Sequence, residues 1–150
     1  MRRVLLLAGI IAIAMHPTAS FADQRFIDGT CGEGSHIAEG AFGDDLTKRQ
    51  SRFFCDAAAI ISNNGDILVQ FSQKEAHHNP SLAYAGRMSG DKDVMNVERV
   101  YFSPQNSATV SDGVCKFFYK DTMLTGIMCG VKIDETGRRT TAIVVFNSRH

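Results

Sequence analysis

The chain has 150 residues, in which 16 Lys+Arg balance 16 Asp+Glu for a formal net charge of zero. Both signs are scattered. The short basic stretches at Lys48–Arg52 and Arg138–Arg139 do not make the basic stripe of a nucleic-acid binder, so no nucleic-acid partner is expected. The length allows one domain with a real core, not two.

Arg2 and Arg3 precede an uncharged apolar run, Val4–Met15, which Pro17 breaks, and Ser20 and Ala22 take the −3 and −1 positions of a cut before Asp23. This order is that of a secretory signal. Residues 1–22 are expected to be cleaved, leaving residues 23–150 as a single β-rich domain in the periplasm or outside the cell. The apolar run is 12 residues, short of the roughly 18 of a membrane-spanning helix, so no membrane span is expected after cleavage. A buried N-terminal helix or an uncut anchor is the alternative. Arg2 and Arg3 leave with the signal, so the remaining domain keeps 14 basic residues against 16 acids. No Asn-x-Ser/Thr sequon occurs, which leans towards a bacterial source.

The next element is Gln24–Cys31, the first of a series of β-rich runs separated by turn signals. The others are Arg52–Ser62, Asp66–Gln73, Leu82–Met88, Val94–Ser103, Gly113–Lys120, Met123–Ile133 and Arg139–Phe146. Together they predict an all-β antiparallel domain of roughly eight strands, a small barrel or a sandwich, with contiguous hairpins favouring the barrel. Gly32–Gln50 does not read as a strand. It is glycine-rich at first, then runs Asp44-Asp45-Leu46-Thr47-Lys48, and is expected to hold a short helix behind an Asp cap. Ile37, Phe42 and Leu46 would let it pack as a lid.

Asn63-Asn64-Gly65 suits a three-residue hairpin loop, which would place Ile61 opposite Ile67, Ala59 opposite Val69 and Ala57 opposite Phe71. Phe53 and Cys55 would share that inner face, and Phe54, Ala58, Ile60 and Leu68 the outer one. A second hairpin turning at Asp121-Thr122-Met123 places Tyr119 opposite Thr125, Phe117 opposite Ile127 and Cys115 opposite Cys129. Phe118, Leu124 and Met128 would then face outward. Phe54, Ile60, Leu68, Phe118 and Met128 are therefore the candidate partner surface, unless the lid covers them.

All four cysteines lie after the signal. In an oxidising compartment an even set reads as two disulfides, and their wide spacing does not suit zinc. The second hairpin's register selects Cys115–Cys129, leaving Cys31–Cys55 by elimination.

Histidine is where metal or acid–base chemistry would lie. His77 and His78, with Glu75 and a remote His36, could hold zinc or copper, but the stretch Lys74–Pro80 reads first as a polar loop. No cofactor is expected. Ser35-His36 adjacency does not make a nucleophile–base pair, no Gly-x-Ser-x-Gly elbow occurs, and Asp44-Asp45 and Asp91-Lys92-Asp93 suit turns and caps. Gly29-Thr30-Cys31-Gly32-Glu33-Gly34 lacks the lysine of a phosphate loop.

The functional expectation is a non-enzymatic, exported binding module. It would act on a protein partner, as inhibitors do, or on a small apolar ligand within a barrel. The alternatives are a small metal-dependent or hydrolytic enzyme using His36, His77 and His78, and a structural component of an envelope or secreted assembly.

Overall fold

The structure is a computed structural model that describes residues 22–74 and 81–149. Among the described residues eleven strands follow one another: β1 (Asp23–Cys31), β2 (His36–Ala41), β3 (Gln50–Arg52), β4 (Ala57–Asn63), β5 (Asp66–Ser72), β6 (Leu82–Met88), β7 (Val94–Ser103), β8 (Asn106–Thr109), β9 (Asp112–Lys120), β10 (Met123–Glu135) and β11 (Arg138–Ser148). Eight of them, in the order β1-β4-β5-β6-β7-β9-β10-β11, form an antiparallel sheet that closes through β1 and β11 into a barrel. The closing seam is short, Gly29 to Cys31 against Phe146 to Ser148. Beyond the seam β11 pairs instead with β2, and β2 with β3. Closure removes the free sheet edges that a sandwich would retain.

Two of the sequence-derived elements change. The expected strand Arg52–Ser62 divides into β3 and β4, because Phe53–Asp56 crosses from the β2 edge to the barrel. Its backbone groups pair on the way, Phe53 N–H with the Ser35 carbonyl and the Cys55 carbonyl with Cys31 N–H. The Gly32–Gln50 segment contains a strand, β2, that its composition hides: the buried positions are Ala38 and Gly40, residues of low β-propensity. A 3₁₀ turn, Leu46–Lys48, does follow an Asp cap, with Asp45 accepting from Thr47 N–H at 3.1 Å. That turn packs on Gly40 of β2, and Phe42 stays half exposed beneath Arg139. The segment thus extends the sheet beside β11.

The first hairpin departs from its expected register by one residue. Asn64 and Gly65 both have positive φ, 52° and 88°, which is the two-residue turn that matches strand twist. Asn63 therefore pairs with Asp66, Ile60 with Val69 and Ala58 with Phe71. A slip of one turns every side chain of a strand over. Ala58 and Ile60 pack inward with Val69 and Phe71, while Ala59 and Ile61 face out.

The second hairpin also has a two-residue turn, with Lys120 opposite Met123 and Tyr119 opposite Leu124. A bulge at Thr125 then absorbs one residue, and its hydroxyl donates to the Phe118 carbonyl at 3.1 Å. From Gly126 onward the pairing is the expected one, including Phe117 with Ile127 and Cys115 with Cys129. Leu124, expected outside, is 1% exposed, and Tyr119, expected inside, is half exposed at a barrel mouth. Both disulfides form as the sequence predicted, Cys31–Cys55 and Cys115–Cys129.

The barrel is filled. Tyr84, Phe71, Phe146, Leu82, Met95 and Leu124 are among its largest fully buried side chains. The Phe71 ring meets Tyr84 edge-on at 6.0 Å and Phe146 at 5.7 Å, separations at which aromatic pairs attract.

Candidate functional site

Buried side chains of the described residues pack the barrel interior. Surfaces with ligand-sized relief lie on its outside and at its ends, and two outer faces combine apolar area with charge.

The first face spans β9, β10 and β11. Strand pairing sets its outward rows: Phe118 beside Gly126 and Asn147, Lys116 beside Met128 and Val145, and Val114 beside Gly130 and Ile143. Val114, Phe118 and Met128 are 46%, 46% and 47% exposed, unusually open for side chains of that size. Gly130, lacking a side chain, leaves a depression of about 240 Å³ whose lining includes Asp112, Val114, Lys132, Thr141 and Ile143. Lys116, Lys120 and Lys132 stand around this apolar ground on the same faces of β9 and β10, Lys116 paired with Asp91 at 3.7 Å and Lys132 with Asp134 at 3.9 Å. Directly beneath, Cys115 and Cys129 are fully buried and joined, so the two strands that carry the exposed residues are covalently pinned.

The second face spans β4 to β8, and two of its rows have an alanine of β6 in the middle. One runs Ile61, Leu68, Ala85, Arg99, Thr109, and the other Ala59, Gln70, Ala83, Tyr101, Ser107. The small β6 residues sit lower than their neighbours and form the floor of a groove. Its wider end, about 500 Å³, is lined by Ile61, Leu68, Ala85, Arg87, Glu98 and Arg99 among others. The adjoining end, about 220 Å³, lies between Gln70, Ala83, Tyr101 and Pro104.

The residues singled out from sequence divide between these places. Phe118 and Met128 are neighbours on the first face, and Leu68 lines the groove of the second. Phe54 is 55% exposed, away from both, with the Arg52 guanidinium 5.0 Å from its ring centre. Ile60 is partly buried against the core and lines a pocket with Met88, Phe117 and Tyr119, apart from the other four. The five therefore do not form one patch. The β6 groove was missed: its signal is the alternation Ala83-Tyr84-Ala85, but what stands beside those alanines depends on register across five strands.

Ser35 and His36 have structural partners. The Ser35 hydroxyl, fully buried, accepts from Val145 N–H at 2.9 Å, tying the loop before β2 to β11. His36 Nδ1 lies 2.8 Å from the Gly34 carbonyl. Glu75, His77 and His78 lie outside the described residues, and among the described residues no group of three His, Cys, Asp or Glu side chains could hold a metal ion. The paired acids shape turns: Asp44 accepts from Ala41 N–H at 3.0 Å, and Asp91 from Asp93 N–H at 3.1 Å. Tyr84, whose pKa burial raises, stays protonated and donates to the Ala142 carbonyl.

No known protein family, curated protein or solved structure matches the chain.

Proposed function

We propose that the protein is an exported binding module that acts on a protein partner through the β9–β10 face. The observation that carries this reading is the trio of half-exposed apolar side chains Val114, Phe118 and Met128 on strands pinned by the Cys115–Cys129 bridge. An apolar centre with a polar rim is the usual anatomy of a protein interface, and a rigid platform loses little entropy on binding. Lys116 and Lys132 are already paired with Asp91 and Asp134, so the partner is expected to be recognised chiefly by an apolar projection that fits over Gly130. Export is supported by the N-terminal sequence pattern and by the two disulfides, which are consistent with an oxidising compartment.

The test is site-specific photo-crosslinking in the exporting cell. A photoreactive residue at position 118 is expected to yield a discrete protein adduct that Met128→Asp removes without changing the melting temperature. The same residue at Gln105, in the β7–β8 turn at the opposite end of β7 from the pairing with Lys116, is expected to yield none. Equal labelling at both positions, or an adduct indifferent to Met128→Asp, would reject this face. N-terminal sequencing of the exported protein is expected to begin at Asp23.

A further inference from the structure

We propose that the groove over β6 is a binding site for a long-chain carboxylate, distinct from the protein-binding face. Its two ends differ in character. Around Ala83 the walls are Leu68, Tyr101 and Pro104, suited to a hydrocarbon chain. Around Ala85 the groove meets charged side chains, and these are not equivalent. Arg87 is already paired with Asp66 at 2.7 Å. Arg99 makes no ion pair among the described residues, although Glu98 lines the same end. Its guanidinium is instead held by two hydroxyls of β8, Nη1 donating to Ser107 Oγ at 3.0 Å and Nη2 to Thr109 Oγ1 at 3.3 Å.

That arrangement orients a cation without neutralising it. A guanidinium has five N–H donors, so two bonds to hydroxyls leave the rest for a ligand, in the planar geometry that matches a carboxylate. Arg99 stands beside Ala85 in the register, and Tyr101 beside Ala83. A ligand with its carboxylate on Arg99 therefore lays its chain along β6 towards Ser81. From Ala85, beside Arg99, to Ser81 this path is about 13 Å at 3.3 Å per residue, enough for most of an extended dodecanoate chain. The floor is alanine because any larger outward residue on β6 would fill that path. A free carboxylate fits better than a membrane surface, because with Arg87 already paired to Asp66 the single fork of Arg99 matches one carboxylate and not an array of anionic headgroups.

The test is isothermal titration of the purified, disulfide-bonded protein with sodium dodecanoate below its micellar concentration. Saturable binding of one dodecanoate per chain is expected, and dodecyltrimethylammonium is expected not to bind. Arg99→Gln should weaken dodecanoate by about tenfold or more, as loss of a charge-assisted pair does, whereas Arg52→Gln should leave it unchanged. Ala85→Phe should abolish binding by filling the groove, and Ala83→Leu serves the same purpose if Ala85→Phe fails to fold. Absence of saturable binding would overturn the proposal, as would equal weakening by Arg99→Gln and Arg52→Gln. So would binding to phosphatidylglycerol vesicles without binding of free dodecanoate. Neither arm uses Phe118 or Met128, so the result is independent of the protein-binding face.

Discussion

Tyr84 donates its phenolic hydrogen to the Ala142 carbonyl at 3.2 Å, and the two residues stand on β6 and β11, opposite one another around the closed eight-strand sheet. The bond therefore crosses the barrel and satisfies a hydroxyl that is otherwise surrounded by apolar side chains. Tyr84→Phe keeps the ring and removes the bond. It is expected to cost about 1 kcal/mol in urea unfolding, and an unchanged midpoint would show that the bond contributes nothing.

The closing seam depends on a missing side chain. A Cβ on Gly29 would collide with the Phe146 ring and the Asn147 carbonyl of the facing strand. Gly29→Ala is expected to destabilise by about 1–3 kcal/mol through overpacking. Gly90→Ala, where a Cβ would meet nothing within 4 Å, should change stability by less than about 0.5 kcal/mol. Similar losses at both positions would argue against the seam as described.

Register in the first hairpin can be read from two adjacent isoleucines. Ile60 packs against the core and Ile61 lines the outer groove. Ile60→Asp should cost about 1–3 kcal/mol, since it removes apolar packing and sets a carboxylate against the core. Ile61→Asp should cost less than about 1 kcal/mol. The reverse order of midpoints would restore the three-residue loop.

Each disulfide closes a moderate loop, with separations of 24 and 14 residues. In the chain-entropy view, replacing either pair by alanine should cost about 3 kcal/mol, measured by guanidinium unfolding. Losses below about 1 kcal/mol would mean that the unfolded chain is already constrained. Peptide mapping without reduction should recover Cys31 joined to Cys55.

Acid stability should carry the mark of Asp134. The Arg139 guanidinium, donating through Nε at 2.6 Å, holds the Asp134 carboxyl below its ordinary 3.8 against an opposing desolvation. In that window the unfolded chain binds the extra proton, so stability rises with pH. The contribution is complete above 3.8 and is lost as pH falls through the lowered folded value. Asp134→Asn should flatten the acid limb of the stability profile and lower its neutral region by the same small amount, because an exposed pair is worth little. An acid limb identical to the parent would exclude the pair from acid unfolding.

The sequence by itself determined the all-β class, most strand positions and the pairing of the cysteines. These follow from period-two patterning and from turn residues, which act over a few neighbours. The Cys115–Cys129 pairing survived a misjudged turn, because the bulge at Thr125 returned the residue that the shorter turn removed. No such compensation occurs after Asn64-Gly65, so Ile60 and Ile61 exchanged faces. Strand β2 was hidden because alanine and glycine at its buried positions carry no apolar signal, and only the open edge of β11 gives them a strand to join. Tertiary structure alone decided closure through Gly29 and Phe146, the filling of the barrel by Tyr84, and the meeting of Ala85 with Arg99. Each joins residues whose proximity depends on the accumulated register of several strands, and a shift of one residue in any of them turns a face over.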